Sequence, residues 1–95
     1  MKIWLDDKRP EPSGWTRCYW PEEVIELLRA YPVTEISLDH DLGDDDHGTG
    51  YDVLLWIEEQ VVLHEYKPPI IHIHSDNSSA VQRMRLAVQS IVRHS

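Results

Sequence analysis

The chain has 95 residues, with nine Lys and Arg against 17 Asp and Glu, which gives a formal net charge of −8. This length fits one domain, residues 1–95, and no apolar run approaches the length of a membrane span. The acidic balance argues against an extended nucleic-acid surface, which needs a basic face. A lone cysteine, Cys18, excludes an internal disulfide. Because the acidic start also lacks signal-peptide features, we expect a cytoplasmic protein.

Short β-prone segments precede and alternate with helical segments along the chain. In the first, Ile3 and Leu5 lie on one side and Trp4 on the other, which is typical of a strand. Strands are predicted over 2–7, 15–20, about 34–39 and 70–75. Helices are predicted over 21–31, from 50 or 51 to about 66, and from 77 or 78 onward. This order predicts an α/β fold with a mostly parallel four-stranded sheet.

The negative charge is concentrated between Asp39 and Asp52. This stretch contains six aspartates, two histidines and three glycines, and neither Lys nor Arg. Without its six aspartates the chain has eleven acids and nine bases, a net charge of −2. So much like charge in one loop is repulsive unless it is solvated or binds a cation. We take the cation as the working hypothesis and the solvated loop as its alternative.

Polar residues follow three of the four predicted strands. They are Asp6-Asp7, Asp39-His40-Asp41 and the segment that begins at His74. The carboxyl ends of parallel strands share one edge of a sheet, where ligands bind in such folds. We therefore expect these groups to form one pocket.

The residue types in this pocket predict a divalent metal. Carboxylates are hard oxygen ligands that suit Mg²⁺ or Mn²⁺, and a histidine ligand would shift the preference toward Zn²⁺. The candidate carboxylates are Asp6, Asp7, Asp39 and Asp41, and the candidate histidines are His40 and His74.

Other residues near the predicted pocket are suited to binding phosphate. Arg9 is the one arginine in the loop after the first strand, and its planar guanidinium can hold a phosphate with two hydrogen bonds. Ser75 and Asn77 precede the last helix, whose first amides form an anion-binding end. Gly43 lets the loop backbone approach a ligand closely.

The motifs together resemble a known family. They are Leu5-Asp6-Asp7-Lys8-Arg9-Pro10, Gly14-Trp15, Ser37-Leu38-Asp39-His40-Asp41-Leu42-Gly43, Gly50-Tyr51-Asp52 and His74-Ser75-Asp76-Asn77. Over nearly its whole length, the chain resembles the cyclic-phosphate-processing receiver-like domain family, an offshoot of two-component receiver domains. The resemblance implies a small receiver-like (flavodoxin-like) three-layer sandwich, and we predict the strand order 2-1-3-4. A full receiver has a fifth strand that ends in lysine, so we expect a truncated receiver without phosphorelay signalling.

The resemblance also implies an activity, the hydrolysis of a cyclic phosphate. The ligand would be a small phosphorylated nucleotide or RNA end, such as an RNA 2′,3′-cyclic end, ADP-ribose cyclic phosphate or a cyclic nucleotide. We expect Asp6, Asp7 and Asp39 to hold the metal, and Asp39 or Asp41 to occupy the phosphoacceptor position of a receiver. His40 or His74 would transfer protons, and Arg9 would stabilise the developing charge.

Two other functions remain open from the sequence. The same pocket would also suit a protein that sequesters a nucleotide or cyclic oligonucleotide without cleaving it. A third possibility is a protein-interaction module that uses the last helix, which carries Arg83 and Arg85.

Overall fold

The computed structural model describes residues 1–95 as four strands and three helices. In chain order they are β1 (Lys2–Leu5), β2 (Thr16–Cys18), α1 (Pro21–Ala30), β3 (Glu35–Leu38), α2 (Gly50–His64), β4 (Ile70–Ile73) and α3 (Ser78–His94). All seven predicted elements are present, and each observed strand is slightly shorter than its predicted range. None of the helices is long and apolar enough to span a membrane.

The sheet has the strand order β2-β1-β3-β4, and every neighbouring pair is parallel. Leu5 lies opposite Cys18 on one side and Leu38 on the other, and Leu38 lies opposite Ile73. The predicted α/β class, the receiver-like sheet and its strand order are confirmed. Because the sheet is entirely parallel, the carboxyl ends of all four strands lie at one edge.

The three helices lie on one face of this sheet. α1 packs against α2, α2 packs against α3, and all three helices contribute to a single core. The crossovers through α1 and α2 run in the same direction across the sheet, and right-handed crossovers in one direction place their helices on one face. The β1–β2 connection contains no helix that could cover the other face. The expected three layers are therefore corrected to two.

Alternation along the strands determines which side chains enter the core. Ile3 and Leu5 of β1 and Ile36 and Leu38 of β3 are fully buried. The helices add buried residues at helical spacing: Val24 and Leu28 from α1, Val53, Leu54, Ile57 and Val61 from α2, and Met84, Ala87 and Ile91 from α3. Burying a large aliphatic side chain contributes about 1.5–3 kcal/mol before entropy costs. The predicted apolar stripes therefore account for the helix-covered face.

The opposite face of the sheet carries polar and aromatic residues, and we call it the open face. Trp4, Ser37 and His72 lie in one row across β1, β3 and β4. The position of His72 within its predicted strand indicates a buried core residue, and this interpretation is wrong. His72 is exposed and pairs with Glu35 at 2.9 Å, because no helix covers this face.

We call residues 39–49, between β3 and α2, the acidic loop. Helix α2 begins directly after this loop and packs tightly against the end of β3. The Asp52 carboxylate accepts a hydrogen bond from the Thr49 amide at 2.9 Å and so caps the first turn. A Cβ added at Gly50 would lie 1.9 Å from the carbonyl oxygen of Asp39. Only glycine allows this approach. The helix ends at His64, two residues before the predicted limit, because Glu65 adopts a left-handed conformation with φ of 54°.

Candidate functional site

Asp6, Asp39 and His74 follow β1, β3 and β4 and meet at the carboxyl edge of the open face. Backbone hydrogen bonds extend the strand pairing to this point, since the Asp39 amide donates to the Leu5 carbonyl at 2.9 Å and the His74 amide to the Leu38 carbonyl at 3.0 Å. The structure thus brings together residues that are up to 68 positions apart.

Asp6 is fully buried and accepts three hydrogen bonds. Its Oδ1 accepts from the amides of Lys8 and Arg9 at 2.8 and 2.9 Å. Its Oδ2 accepts from His74 Nε2 at 3.1 Å. Burial alone would raise the pKa of Asp6, but the two amides and His74 outweigh it and hold the pKa below its ordinary value. Asp6 is therefore a well-satisfied, ionised carboxylate.

Asp39 has far less support from the protein. Its Oδ1 accepts one hydrogen bond, from the His40 amide at 2.8 Å. Burial raises the pKa of Asp39 above its ordinary value, and the negative charge of Asp6 raises it further, against the opposing effect of that hydrogen bond. The ionised carboxylate of Asp39 is thus under-compensated by its surroundings.

Three carboxylates form a cluster with metal-ligand spacing. Asp6, Asp7 and Asp39 each offer one oxygen, and these oxygens lie within 4.8 Å of one another. All are hard donors of the kind that Mg²⁺ and Mn²⁺ take. The raised pKa of Asp39 fits a bound cation, because a positive charge there would stabilise its ionised form.

His74 has both ring nitrogens engaged by the protein. Its Nδ1 lies 2.7 Å from Ser37 Oγ, and its Nε2 contacts Asp6. The ring also stacks on Trp4 with centroids 3.8 Å apart and an interplanar angle of 5°. Burial lowers the pKa of His74, although the Asp6 carboxylate opposes the shift. Neither nitrogen is left free for a substrate.

His40 and Asp41 form a second carboxylate–imidazole pair. His40 is buried, and its Nδ1 lies 2.7 Å from Asp41 Oδ1. The hydrogen bond from His40 lowers the pKa of Asp41 and outweighs the effect of burial. Asn77 Nδ2 donates a longer bond to Asp41 Oδ2 at 3.4 Å.

Arg9 joins the first loop to the end of β4. One guanidinium nitrogen donates to the His74 carbonyl at 2.6 Å, and the other pairs with Asp76. The Arg9 carbonyl in turn accepts from the indole of Trp4 at 3.0 Å.

A cleft of about 460 Å³ opens above these groups. Its lining contains no apolar residue: Asp7, Lys8, Arg9, Asp39, Asp41, Gly43 and Asp76. Four carboxylates and two cations therefore face the same space. The rings of His40 and His74 do not line it.

A comparison with known protein families identifies the family of this chain. The profile described as the cyclic-phosphate processing receiver domain matches residues 1–90. The chain belongs to this family. Among curated proteins and solved structures, no match is found. The cleft is thus part of a receiver-like domain associated with cyclic-phosphate processing.

Of the three remaining predicted residues in the receiver-like domain, Gly43 lines the cleft, whereas Ser75 and Asn77 do not. Gly43 lines the cleft with φ of 96°, and a Cβ there would lie 3.3 Å from Asp7 Oδ2. Ser75 Oγ accepts from the Asn77 amide at 3.2 Å, and Asn77 Oδ1 caps α3 by accepting from the Ala80 amide at 3.1 Å. Ser75 and Asn77 do not line the cleft, and their substrate-binding role stays a prediction.

Residues that the sequence analysis did not select also contribute to the receiver-like site. Lys8 and Asp76 line the cleft, and Ser37 and Trp4 hold the ring of His74. Lys8 and Asp76 lie inside the quoted motifs, so their position beside selected residues was an available signal. Ser37 also lies inside a quoted motif, and strand alternation places it on the same face of the sheet as Asp39, which directly follows β3.

Proposed function

We propose that this domain hydrolyses a cyclic phosphate with a divalent cation held by Asp6, Asp7 and Asp39. The observation that carries the proposal is the cluster of these three carboxylates, of which Asp7 and Asp39 line a cleft that Lys8 and Arg9 also line. The family's association with cyclic-phosphate processing supports the choice of substrate class. Candidate substrates are an RNA 2′,3′-cyclic end, ADP-ribose cyclic phosphate and a cyclic nucleotide.

The donor set favours Mg²⁺ or Mn²⁺ over Zn²⁺. Every oxygen of the cluster is a carboxylate oxygen, and the nitrogens of His74, the nearest imidazole, are occupied by Ser37 and Asp6. The chemistry that such a cation supplies is polarisation of phosphoryl oxygens and a lower pKa for water.

Charge in the cleft makes ligand binding dependent on the cation. Four carboxylates line the space against two cations, and Arg9 already pairs with Asp76. A phosphate would be repelled by this lining until the carboxylate charge is offset. In the proposal, Lys8 and Arg9 then hold the phosphate and stabilise the charge that develops on the leaving oxygen.

Proton transfer is assigned to Asp41, which is hydrogen-bonded to His40. Asp41 lines the cleft, whereas His40 does not line it and contacts Asp41 Oδ1 through its Nδ1 at 2.7 Å. In the proposed reaction a water oxygen bonds to phosphorus and its proton passes to Asp41. The bond from phosphorus to one ribose oxygen breaks, and that oxygen takes the proton, so the ring opens with net addition of one water.

A turnover assay tests this function directly. Chelator-treated protein is incubated with 2′,3′-cyclic and 3′,5′-cyclic nucleotides and ADP-ribose cyclic phosphate, with and without Mg²⁺, Mn²⁺ or Zn²⁺. We expect one substrate to gain the mass of one water only when Mg²⁺ or Mn²⁺ is present. Asp39→Asn should lower this rate by more than the about 10–100-fold typical of groups that merely support a ligand.

The matched control is Asp45→Asn, the same change at an exposed aspartate of the acidic loop. Its rate should equal that of the wild type. Metal-independent turnover, or an unchanged rate for Asp39→Asn, would exclude the proposed mechanism.

A second function is favoured by one specific observation, the absence of an imidazole from the cleft lining. A domain of this kind could sequester the phosphorylated ligand and leave it intact. The same assay separates the two functions. If cation-dependent binding is followed by release of unchanged ligand on denaturation, sequestration replaces hydrolysis.

A further inference from the structure

Ser37 is a buried polar residue that the proposed reaction does not use. It lies in β3 on the open face, its exposed fraction is 5%, and the cleft lining does not include it. Its hydroxyl lies 2.7 Å from His74 Nδ1, which is shorter than the contact between His74 Nε2 and Asp6. The Ser37 hydroxyl thus has one specific partner, the side of the His74 ring that faces away from Asp6.

The direction of these hydrogen bonds follows from the donors that are available. An ionised carboxylate only accepts, so His74 Nε2 must carry the proton that it shares with Asp6. In its neutral form the imidazole of His74 has this single N–H, so Nδ1 carries a lone pair. The Ser37 hydroxyl must then donate to Nδ1. The chain of donors therefore runs from Ser37 through His74 to Asp6.

Trp4 restricts the ring in the remaining direction. Its indole lies nearly parallel to the imidazole, with the ring centroids 3.8 Å apart, and its own N–H donates to the Arg9 carbonyl. Stacking opposes tilting of the ring, and the hydrogen bond from Ser37 opposes rotation within its plane. The position of His74 Nε2 is consequently determined from two sides.

The orientation of His74 matters because the Asp6 carboxylate has few lone pairs left for a further partner. Its Oδ1 accepts two amide hydrogen bonds, one for each lone pair. Its Oδ2 accepts one bond from His74, which leaves one lone pair of this buried carboxylate. The lone pair of Oδ2 that His74 occupies determines which lone pair stays free.

We propose that Ser37 is a positioning residue, which holds His74 in the Nε2–H form so that His74 occupies one lone pair of Asp6 Oδ2 and leaves the other for the divalent cation. This inference rests on the proposed function for its cation, but not for the state of His74. It also gives His74 a role different from the proton transfer that the resemblance implied. His74 orients a metal ligand and exchanges no proton with substrate.

Nitrogen-15 NMR of the chelator-treated protein at neutral pH tests the state of His74 without any turnover. Two-bond correlations should show His74 with Nε2 protonated and Nδ1 unprotonated. In Ser37→Ala we expect the Nε2 proton to exchange with water at least about tenfold faster. Affinity for Mg²⁺ or Mn²⁺, measured by calorimetry, should fall by about 10–100-fold, as for other supporting partners of metal ligands.

Two further variants separate positioning from a general loss of structure. Ser37→Thr keeps the hydroxyl on a residue that suits a strand, and both readouts should return toward wild type. Ser90→Ala is the matched control, because it removes a serine near another imidazole, 3.5 Å from His94 Nδ1 at the exposed end of α3. Both readouts should be unchanged in it.

The possible outcomes test the role of Ser37 separately from the proposed hydrolytic function. A His74 protonated on Nδ1 in the wild type, or unchanged cation affinity in folded Ser37→Ala, would overturn the role of Ser37 even if hydrolysis is found. Failure of the wild type to bind either cation would overturn the proposed function, and the link from His74 to the cation with it. The inference is supported only by both results together: the expected NMR pattern in the wild type and weakened cation binding in Ser37→Ala but not in the control.

Discussion

Asp6 and Asp39 occupy equivalent positions at the ends of adjacent strands, yet their environments shift their pKa values in opposite directions. Asp6 has three donors and is part of the structure around it. Asp39 has one donor and the charge of Asp6 nearby. The fold thus satisfies one carboxylate and leaves its neighbour in need of positive charge, which is the pattern expected where a cation is bound.

This contrast predicts opposite effects of asparagine on the metal-free protein. The folded-state pKa of Asp39 is raised above 3.8, so its ionisation opposes folding. The free energy of unfolding therefore falls as the pH rises from about 3.8 through the folded-state pKa. Asp39→Asn should therefore raise the melting temperature at pH 7. Asp6 has a lowered pKa, so its contribution is present above pH 3.8 and is lost as pH falls toward the folded-state value. Asp6→Asn should lower the melting temperature, because the His74 N–H loses its ionised acceptor.

Thermal unfolding by circular dichroism in chelator, at pH 7 and near pH 3, measures both effects. The difference between each variant and the wild type should shrink at the lower pH, where the carboxylates become protonated. Asp45→Asn serves as the exposed control. A destabilising Asp39→Asn at pH 7 would contradict this account of the cluster.

At the scale of elements, the junction between β3 and α2 builds the site. The Asp39 carbonyl touches Gly50, the first residue of α2, and the Gly50 amide donates to the His40 carbonyl at 3.2 Å. The acidic loop is held at its far end as well, where His47 stacks on Trp20 and pairs with Glu22 at 2.6 Å. The loop that carries most of the negative charge is thereby tied to two helices.

Gly50→Ala should disrupt this junction. The new methyl group would lie 1.9 Å from the Asp39 carbonyl oxygen, so strand end and helix start must separate. Overpacking of this kind costs about 1–3 kcal/mol. The melting temperature should fall, and Mn²⁺ affinity should fall with it, because Asp39 moves.

The control for this change is Glu59→Ala on the exposed side of the same helix, which should alter stability by less than about 0.5 kcal/mol. Wild-type stability in Gly50→Ala would mean that the junction is not tightly packed.

At the scale of the whole molecule, the two-layer arrangement explains why the site has an open side. Helices cover only the face that carries Ile3 and Leu38, so Asp6, Ser37 and His74 lie on the face without helices. On that face, Trp4 and the loop at Arg9 cover these residues. The stretch from Asp39 to Asp52 accounts for six of the eight net negative charges.

A cation that binds the folded chain alone should stabilise the whole molecule by mass action. At 100 times its dissociation constant the gain is about 2.7 kcal/mol. Melting curves with increasing Mg²⁺ or Mn²⁺ should move upward in the wild type and Asp45→Asn, but not in Asp39→Asn. Sodium chloride at matched ionic strength provides the control for screening. An equal rise in Asp39→Asn would place the cation elsewhere.

Local sequence signals accounted for the elements and for the part of the site at strand ends. The alternation of Ile3, Trp4 and Leu5 predicts a strand, and the helical spacing of Val53, Leu54 and Ile57 predicts α2, because both patterns depend on near neighbours. The strand order and the parallel pairing then bring Asp6 and Asp39 to one edge. The elements follow from local periodicity and the parallel pairing from chain connectivity, whereas the strand order was predicted with the family resemblance.

The tertiary structure decided the roles of groups whose partners are distant. His74 could not be assigned from its neighbours, because its ring contacts Ser37 and Asp6, which are 37 and 68 positions away. The exposure of His72 likewise depended on the absence of helices from the open face. A strand pattern indicates which residues share a face, but what covers that face, and what each polar atom bonds there, is set by contacts between elements.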